Sequence, residues 1–593
     1  MKFDDVLVIL GEFGPYQRRM YALVCLMVIP LSWTTLIQVF AMGNSDHWCQ
    51  VPGWNDTVCE EEYGAPCNLI TKKTFNIPFV EANGSKLEFQ KCTRYNISDF
   101  SGLSVVINNS ATSGYDSLIR DLGADGTPDV IPCDAGWEYD RSQYTRTFVQ
   151  EMDLVCADAK YIQFPQSFYY GGYLVGSAVF GILGDRFGRH RMLIFTIVLR
   201  IISGYALVLV HNYWLFAVVR FFQGVFLVGS YILTFVLGTE FVGTSKRNVS
   251  GIFINIPFAV GYMLLAGIAY WIRDWRMLQV ALVTPLFILL IFLIILPESP
   301  RWLISQGETE KAKKIIKHAA KVNKVQLPED FLDEHDDVNK NLQDDTHKDD
   351  TQKDDTQEKE RRPNVTDIFR YRNMRRRILI LMYIWSVCAV VYHGFNLSTS
   401  TLGINVYISF FVSAAIEIPA YTLDIFIVQH PWLGRRRSMV LTLLLGGVAC
   451  LLTIFIAPGP FRAGVAFIGK FGISAAFGLI YLYTIELFPT SLRTAGLGIC
   501  SMTGRIANIL APLILLTTEY WIHTPLVIFG SCTILAGILC LFLPETRGKK
   551  LPETIEDGEN FGKLLAKTET SLSYPMNGFD DNSDTDVGEW LEG

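Results

Sequence analysis

The sequence predicts an all-α membrane protein with twelve transmembrane helices in two six-helix halves. Two observations lead to this fold class. Apolar runs of about 20 residues recur along the chain, and each is long enough to cross a hydrocarbon core about 30 Å thick. Charged motifs also occur twice: Gly188-Arg189 follows one apolar run, and Gly434-Arg435 follows another 246 positions later. Two halves of matching topology are the architecture of many secondary transporters.

The apolar runs set the boundaries of the predicted domains. Half of the 593 residues are hydrophobic, a fraction that soluble proteins also reach, so the spacing of the runs carries the prediction. The predicted spans lie at about 20–43, 161–183, 192–211, 214–236, 251–271, 277–296, 378–397, 402–428, 438–457, 463–485, 495–517 and 524–543. They divide the chain into an N-terminus (1–19), span 1 (20–43), an extracellular loop (44–160), spans 2–6 (161–296), a cytoplasmic loop (297–377), spans 7–12 (378–543) and a tail (544–593).

Basic residues predict the orientation in the membrane. Lys and Arg cluster on one side of the spans, for example at Arg18-Arg19, Arg375 to Arg377 and Arg435 to Arg437, and the positive-inside rule makes that side cytoplasmic. We therefore expect a multi-pass protein of the plasma membrane with both termini in the cytoplasm. Acidic residues precede span 1, which predicts an uncleaved signal anchor. The net charge of −7, without a basic stripe, argues against a nucleic-acid partner.

The long loop after span 1 is predicted to be a small extracellular domain. Six of the twelve cysteines lie in it, and six allow three disulfides without defining which cysteines pair. The loop also contains four Asn-x-Ser/Thr acceptors for glycosylation. The cysteines are Cys49, Cys59, Cys67, Cys92, Cys133 and Cys156, and the acceptors are Asn55, Asn83, Asn96 and Asn108.

Polar segments follow each half on the predicted cytoplasmic side. An acidic five-residue repeat at 344–358 contains no apolar residue, so it cannot bury a core and is predicted to be disordered. The same prediction covers the acidic tail after about 551. Before the repeat, the segment 308–322 has the apolar periodicity of an amphipathic helix.

The stretch Gly181 to Arg191, between spans 2 and 3, matches the cytoplasmic loop motif of the major facilitator superfamily. Gly181 and Gly188 allow close helix approach and a tight turn. Asp185 and Arg189 can form charge-assisted hydrogen bonds that close the inner face. These charges could instead only set the topology, but the positive-inside rule does not explain the aspartate. The motif therefore favours a gating role.

The second copy of this motif is degenerate, because Pro431 replaces Asp185 and Ile427 replaces Gly181. Unequal inner contacts are therefore predicted for the two halves. Glu240 and Glu486 are the predicted partners of the loop arginines, in a cluster that forms when the carrier opens outward and breaks when it opens inward. The candidate gating residues are Gly181, Asp185, Arg186, Gly188, Arg189, Glu240, Arg247, Gly434, Arg435, Glu486 and Arg493.

Longer motifs cover nearly the whole chain. They are Gly11-Glu-Phe-Gly-Pro-Tyr-Gln17, the Cys-rich loop, Leu296-Pro-Glu-Ser-Pro-Arg-Trp302, Glu417-Ile-Pro419-Ala, and the span 10 stretch from Gly469 to Gly478 with Tyr481-Leu-Tyr483-Thr-Ile-Glu486-Leu-Phe-Pro489-Thr. With these motifs the sequence resembles solute carrier family 22, the organic ion transporters, and is most similar to its carnitine and zwitterion branch. The resemblance implies alternating-access carriage of small organic cations, zwitterions or anions.

Arg505 in span 11 bears on the charge of the substrate. The resemblance implies this, because organic cation carriers of the family have an aspartate at this position, whereas anion and carnitine carriers have an arginine. An arginine inside a span faces a wet cavity or a partner, and its planar fork suits a carboxylate. Pairing with Glu417 or Asp424 is an equally good interpretation. We rank carboxylate-bearing zwitterions first, anions second and cations third.

Aromatic residues are predicted to bind the cationic end of such a substrate. An aromatic face binds a quaternary ammonium with about 2 kcal/mol when the group is desolvated. Glu417 is the acidic candidate, either for a cation or for Arg505, whereas Asp424 lies towards the inner end of span 8 and could bond only the adjacent loop. The predicted substrate-binding residues are Arg505, Glu417, Tyr392, Trp385, Phe258, Tyr262, Tyr481 and Tyr483.

Other functions have weaker support in the sequence. It contains no P-loop, no HExxH and no Ser/His/Asp arrangement, so we expect no enzyme, no cofactor and no bound metal. The expected partners are a small organic ion and the lipid bilayer, and the coupling ion (Na⁺ or H⁺) and oligomeric state stay open. The alternatives are an organic anion transporter or exchanger, a sugar carrier, and a transport-inactive receptor or scaffold.

Overall fold

The computed structural model describes residues 3–50, 73, 77–82, 86–96, 130–243, 245–328, 366–398, 402–430, 432–490, 492–549, 552 and 554–561. Within these residues each predicted span is helical, and four spans consist of two pieces. The spans are Pro15–Leu36 with Gln38–Ala41 (span 1), Phe164–Phe187 (2), Arg189–Leu209 (3), Tyr213–Glu240 (4), Arg247–Phe253 with Asn255–Trp271 (5), Trp275–Val283 with Leu286–Ile295 (6), Arg372–Leu397 (7), Val406–Ala415 with Glu417–Gln429 (8), Gly434–Leu452 (9), Pro460–Leu487 (10), Arg493–Leu516 (11) and Thr524–Cys540 (12).

Shorter elements lie at the two ends of the bundle. The short helices are Phe3–Ile9, Phe148–Glu151, Pro300–Ser305, Thr309–Asn323, Asp367–Arg370 and Ile555–Asn560, with 3₁₀ turns at Cys156–Ile162, Thr453–Phe455 and Thr517–Glu519. The strands are β1 (His47–Cys49), β2 (Phe79–Ala82), β3 (Lys86–Phe89), β4 (Thr93–Tyr95), β5 (Val130–Pro132) and β6 (Trp137–Tyr139). They form three antiparallel pairs, β1 with β6, β2 with β3 and β4 with β5. We call the end that carries the strands the ectodomain face, and the opposite end the terminal face.

The bundle agrees with the predicted fold class. Ten of the described helices are long and apolar enough to cross a membrane. The other two are span 2, which is rich in glycine and polar residues, and span 12, which has 17 residues. Each half has its own hydrophobic core, and a third apolar cluster at the ectodomain face joins spans 1, 5 and 8 to the base of the ectodomain. That third cluster connects the two halves.

Glycines allow spans 2 and 4 to pack in close backbone contact. A Cβ atom on Gly172 would lie 2.0 Å from the Phe221 carbonyl oxygen, and one on Gly176 would lie 2.3 Å from that of Val225. Helices approach this closely in a membrane only where small residues line the contact. The close approach predicted at Gly181 is wrong, because a Cβ atom there meets nothing within 4 Å.

Prolines account for the breaks in spans 5 and 8. Pro257 and Pro419 lack the N–H that would bond the carbonyl four residues earlier, so the helix is not continuous at that point. Span 5 is interrupted at Ile254 and span 8 at Ile416, each three residues before its proline. The two broken helices contact each other between the halves. Each break is therefore a local interruption of the hydrogen-bond ladder at the seam between the halves.

The base of the ectodomain is anchored by one carboxylate. Glu151 accepts hydrogen bonds from Trp275 Nε1 at 3.0 Å and from Arg276, whose Nη2 lies 2.5 Å from its Oε1. Burial acts to raise the pKa of Glu151, but these hydrogen bonds and the charges of Arg276 and Arg146 lower the pKa below its ordinary value. The anchored form of Glu151 is therefore the carboxylate, which ties the ectodomain to the start of span 6.

Disulfides close the described part of the ectodomain. Cys49 pairs with Cys133, and Cys92 pairs with Cys156. Asn96 is exposed, as a glycosylation acceptor must be. Several predicted features lie outside the described residues: Cys59, Cys67, Asn55, Asn83, Asn108, the repeat at 344–358 and the tail after 561. The predicted amphipathic helix is present as Thr309–Asn323.

We expect Gly176→Leu to destabilise the helix bundle, because the new side chain has to push spans 2 and 4 apart. Overpacking of this kind costs about 1–3 kcal/mol. Gly181→Leu is the matched control, since the same substitution on the same helix meets open space. Thermal unfolding of the two purified variants in detergent tests this expectation. Equal melting temperatures would show that the close contact between spans 2 and 4 is not a constraint.

Candidate functional site

A cavity lies between the two halves. Its walls come from spans 1, 2, 4 and 5 of the first half and spans 7, 8, 10 and 11 of the second. The lining residues are Leu31, Thr35, Tyr173, Val228, Tyr231, Asn255, Phe258, Trp385, Ala389, Tyr392, His393, Tyr421, Phe477, Tyr481, Ser501, Gly504, Arg505 and Asn508. Five of the eight predicted substrate-binding residues are among them: Arg505, Tyr392, Trp385, Phe258 and Tyr481.

Aromatic rings of spans 7 and 10 form one wall of this cavity. The Trp385 and Tyr481 rings meet edge to face with centroids 4.5 Å apart, and Tyr392 stacks on Phe477 at 5.3 Å. Trp385 Nε1 donates a hydrogen bond to Thr484 Oγ1 at 3.0 Å, which holds the indole in place. The wall is therefore preorganised to receive a cation on a ring face.

Arg505 is the charged residue of the cavity lining. It is half-buried, and its Nη1 donates to Ser501 Oγ one turn earlier at 3.0 Å. Among the residues that the structure describes, no carboxylate forms an ion pair with Arg505. The interpretation that Arg505 pairs with Glu417 or Asp424 is therefore wrong. Most of the donors of the guanidinium fork stay available to a ligand in the cavity.

Glu417 does not line the cavity but lies behind its wall. Its Oε1 is 2.7 Å from Lys470 Nζ, and both side chains are at most 1% exposed. Tyr392 donates its hydroxyl to Glu417 Oε2 at 3.0 Å, and the Lys470 ammonium lies 3.8 Å above the Tyr392 ring. Asn396 is the further partner of Lys470. This buried pair neutralises the acidic group predicted to meet a cation.

Two predicted aromatic residues also lie elsewhere. Tyr262 is fully buried at the ectodomain side, where its hydroxyl hydrogen-bonds Asn396 at 3.3 Å and its ring meets Phe410 edge to face. Tyr483 donates to the Pro544 carbonyl oxygen at 2.8 Å, near the terminal face. The prediction placed these two tyrosines on the wrong helix face, because their spans are apolar nearly all round and the sequence does not show which face is wet.

Several cavity residues are absent from the set that the sequence predicts. They are the tyrosines Tyr173, Tyr231 and Tyr421, the amides Asn255 and Asn508, and His393. Polar residues within apolar spans are the signal that identifies such positions. Asn508 stands three residues after Arg505, which is about one helical turn, and this spacing is the signal by which the sequence could have identified it.

The halves are joined on the ectodomain side of the cavity. Tyr170 and His393 share a hydrogen bond of 2.9 Å across the seam, and Ser167 donates to the Ile509 carbonyl oxygen at 3.0 Å. Nearer the ectodomain, Tyr407 stacks on Phe40 and donates to the Gln143 carbonyl oxygen at 2.9 Å. These contacts close the path from the cavity to the ectodomain face.

The loop between spans 2 and 3 forms an ion-pair cluster at the terminal face. Arg189 lies 2.9 Å from Asp185 and 3.4 Å from Glu240. Glu298 accepts hydrogen bonds from the backbone N–H groups of Arg189 and His190 at 3.0 and 3.1 Å. Gly188 has φ +99°, and a Cβ atom there would lie 2.5 Å from Glu298. Glycine is thus required for the carboxylate to reach the helix N-terminus.

The second half repeats this arrangement with a smaller set of charges. Arg435 lies 2.9 Å from Glu486, and Glu545 accepts from the backbone N–H groups of Arg435 and Arg436 at 2.9 and 3.1 Å. Gly434 has φ +63°. Thr546 donates to Glu486 at 2.5 Å. Pro431, which stands for Asp185 in this copy, lies outside the described residues.

The cluster differs from the prediction in how it relates to the movement of the halves. Both arginine–glutamate pairs lie within one half, so a movement of one half against the other leaves them intact. In this conformation they therefore connect spans of the same half and do not join the two halves, and the predicted gating role stays a prediction. Arg247 pairs with Asp4 at 3.3 Å, and Arg186 lies beside the Phe187 ring. The buried Nε of Arg493 has no hydrogen-bond partner among the described residues.

Two six-helix halves around a central cavity, with repeated ion-pair clusters at one face, define a secondary transporter of the major facilitator class. The chain matches the family model "Sugar (and other) transporter" over residues 135–557. It is similar in fold to the xylose transporter XylE from E. coli in an inward open conformation, with a TM-score of 0.54, 15% identity and coverage of 92% of this chain and 100% of that chain. A partially occluded inward open conformation of the same transporter is also similar in fold, with a TM-score of 0.55, 16% identity and coverage of 90% of this chain and 100% of that chain.

Relatives of similar length identify the family. "Organic cation transporter protein" of Drosophila melanogaster is 35% identical and covers 96% of this chain and 97% of its own. "Organic cation/carnitine transporter 2" of Homo sapiens is 35% identical over 93% of both chains. "Solute carrier family 22 member 21" of Mus musculus is 35% identical over 97% of this chain and 96% of its own. The chain belongs to solute carrier family 22.

We expect the Arg189–Glu240 and Arg435–Glu486 pairs to contribute measurably to the stability of each half. A double-mutant cycle with alanine tests each pair separately. The double variant should lose about 1–2 kcal/mol less free energy of unfolding than the sum of the losses in the two single variants. We expect this coupling because the four side chains are at most 20% exposed. Thermal unfolding of the purified protein measures the difference.

The control for this cycle is the Arg301–Asp4 pair, whose side chains are 46% and 38% exposed. Exposed pairs contribute at most about 1 kcal/mol and often nothing. Purely additive losses at both inner pairs, indistinguishable from the control, would contradict a stabilising role.

Proposed function

We propose that this protein carries small organic ions across the plasma membrane by alternating access, with carboxylate-bearing zwitterions such as carnitine as preferred substrates. The observation that carries the proposal is Arg505, which lines the cavity without a carboxylate partner among the described residues, in the same cavity as a wall of aromatic rings. The names of the relatives support small organic ions as substrates, and the name of the organic cation/carnitine transporter supports carnitine among them.

The two ends of a zwitterion match two features of the cavity. The planar guanidinium of Arg505 suits a carboxylate, which can accept two parallel hydrogen bonds from it. The rings of Trp385 and Tyr481 suit a quaternary ammonium, which lacks N–H donors and binds best to an aromatic face. The Tyr392 ring is already in contact with the Lys470 ammonium and with Phe477. The desolvation free energy of a zwitterion that enters the cavity is better compensated when each of its charges meets its own partner.

The charges of the lining favour zwitterions and anions over simple cations. Of the lining residues that the structure describes, Arg505 carries a positive charge and none is an aspartate or glutamate. The nearby Glu417 is neutralised by Lys470. A cation without a carboxylate would face Arg505 with no compensating negative charge. Organic anion transport or exchange is therefore the second candidate function, favoured by the same residue.

Alternating access requires the ectodomain side to open, and the contacts there suit reversible opening. They are neutral hydrogen bonds and ring contacts, such as Tyr170 with His393 and Phe40 with Tyr407. A hydrogen bond of this kind contributes about 1 kcal/mol net, so a few can be exchanged for water without a large barrier. The breaks at Ile254 and Ile416 supply bending points in the helices that face each other across the seam. The basic residues of the terminal face support a cytoplasmic position for both termini.

We expect cells that express the protein to take up radiolabelled carnitine in preference to tetraethylammonium and glutarate. Arg505→Asp should abolish carnitine uptake and raise tetraethylammonium uptake, because the cavity charge is inverted. Arg505→Lys, which keeps the charge but loses the planar fork, should retain part of the carnitine uptake.

Surface labelling of each variant controls for expression. Equal uptake of all three probes by wild type and Arg505→Asp would contradict the role of Arg505. Uptake at background level for every probe would favour a receptor or scaffold over a transporter.

A further inference from the structure

Asp424 in span 8 is a buried carboxyl group without a partner among the described residues. Its side chain is 0% exposed, and neither Oδ1 nor Oδ2 has a hydrogen-bond partner there. The described part of the adjacent loop supplies no bond to Asp424, contrary to the expectation from the sequence. A carboxylate buried in a membrane span without donors or a counter-ion carries a large desolvation cost, whereas a protonated carboxyl carries far less.

The position of Asp424 is built into the packing of spans 8 and 10. A Cβ atom on Gly478 would lie 2.4 Å from Asp424 Oδ2 and 3.2 Å from the Tyr421 ring. Only a glycine at 478 therefore leaves room for the carboxyl. Tyr421, one turn before Asp424, lines the cavity, so the carboxyl lies directly behind the cavity wall.

The other charged groups on the packed elements have their own partners. Spans 5, 9 and 10 pack on this part of span 8. Lys470 and Glu486 lie eight residues before and after Gly478, about 12 Å away along span 10, and pair with Glu417 and Arg435. The remaining ionisable groups on these elements also have partners, with one exception. They are Arg247 with Asp4, Arg436 with the Leu543 carbonyl, Arg437 with the Trp432 carbonyl, Tyr262 with Asn396, Tyr407 with the Gln143 carbonyl, Tyr483 with the Pro544 carbonyl, Cys450 with the Leu526 carbonyl, and Tyr270 and Tyr481, which contact other aromatic rings, beside Tyr421 of the cavity wall. The exception is Arg462, whose buried Nε has no partner among the described residues, and it lies sixteen residues before Gly478, about 24 Å away along span 10.

We propose that Asp424 is a proton-binding site that couples substrate transport to proton movement across the membrane. With the ectodomain side closed, the carboxyl is enclosed between spans 8 and 10 and holds its proton. When the halves move, water enters the seam between spans 5 and 8 and the cavity beside Tyr421. The proton then dissociates from the carboxyl oxygen to this water, and it is taken up again before the next closure. Sodium fits the position poorly, since it needs several oxygen ligands and the carboxyl is flanked by the Gly478 backbone and the Tyr421 ring.

This inference rests on the proposed transport function, and proteoliposomes separate the two. The full-length protein is reconstituted with a pH-sensitive dye inside, and valinomycin with potassium holds the membrane potential at zero. Radiolabelled carnitine is followed in two modes, exchange at equal pH and net uptake under a pH difference of about one unit. Tetraethylammonium and glutarate are assayed in the same way.

We expect wild-type transport to be accompanied by a proton flux, and the pH difference to shift the steady-state substrate ratio up to about tenfold for one coupled proton. Asp424→Asn should keep exchange, because the amide resembles the protonated acid in size and charge. It should lose both the proton flux and the shift, so that the substrate ratio returns to about one. Asp424→Glu, which restores an ionisable group, should recover the proton flux. Asp158→Asn, an exposed change in the ectodomain, should behave like wild type.

Net uptake by the wild type without any proton flux would overturn the coupling while leaving the transport function in place. The same holds if a sodium gradient alone drives accumulation, or if Asp424→Asn keeps the full proton flux. An absence of exchange for all three probes in the wild type would instead overturn the proposed function. The wild-type dye measurement stands even if the Asp424→Asn variant fails to fold.

Discussion

Each half of the bundle depends on a carboxylate held at the start of a helix. Glu298 satisfies the first backbone N–H groups of span 3, and Glu545 does the same for span 9. Free N–H groups at a helix start carry partial positive charge, so a carboxylate there is stabilising. This contact requires a positive φ at Gly188 and at Gly434, where the chain turns into the helix. The same turn places the loop arginines beside Glu240 and Glu486. One local contact thereby ties several spans of each half together.

Among the buried ions of the described spans, Lys470 has a charged partner, Arg200 and Arg220 have neutral hydrogen-bond acceptors, and Asp424 has neither. Arg220 bonds Gln166 and Gln223, and Lys470 bonds Glu417, so these buried ions are compensated inside one half. Arg505 and Asp424 are not compensated. Because an ion without a partner is costly in this setting, each of the two points to a ligand that arrives from outside the protein. We propose the substrate carboxylate as the ligand of Arg505 and a proton as the ligand of Asp424.

The sequence was informative wherever a pattern repeats or a single residue type is required. The 246-residue offset alone paired each loop arginine with its glutamate, and Gly188 and Gly434 marked the tight turns. The sequence was uninformative about helix rotation. Spans such as 5 and 10 are apolar on nearly every face, so Tyr262 and Tyr483 were as plausible in the cavity as Phe258 and Tyr481. The low contrast between faces removes the periodic signal on which such assignments depend.

The amino-acid sequence by itself determined the number of spans, their grouping into two halves, the family and the charges available in each span. These follow from local properties, since the length of an apolar run and the spacing of a motif do not depend on distant residues. Only the tertiary structure decided which charges meet where no repeated motif relates them. Glu417 and Lys470 are 53 positions apart in the sequence and 2.7 Å apart in space, and their pairing leaves Arg505 free for a ligand. Charge compensation inside a membrane is a matter of contact between helices, and contact is set by how the helices rotate and pack.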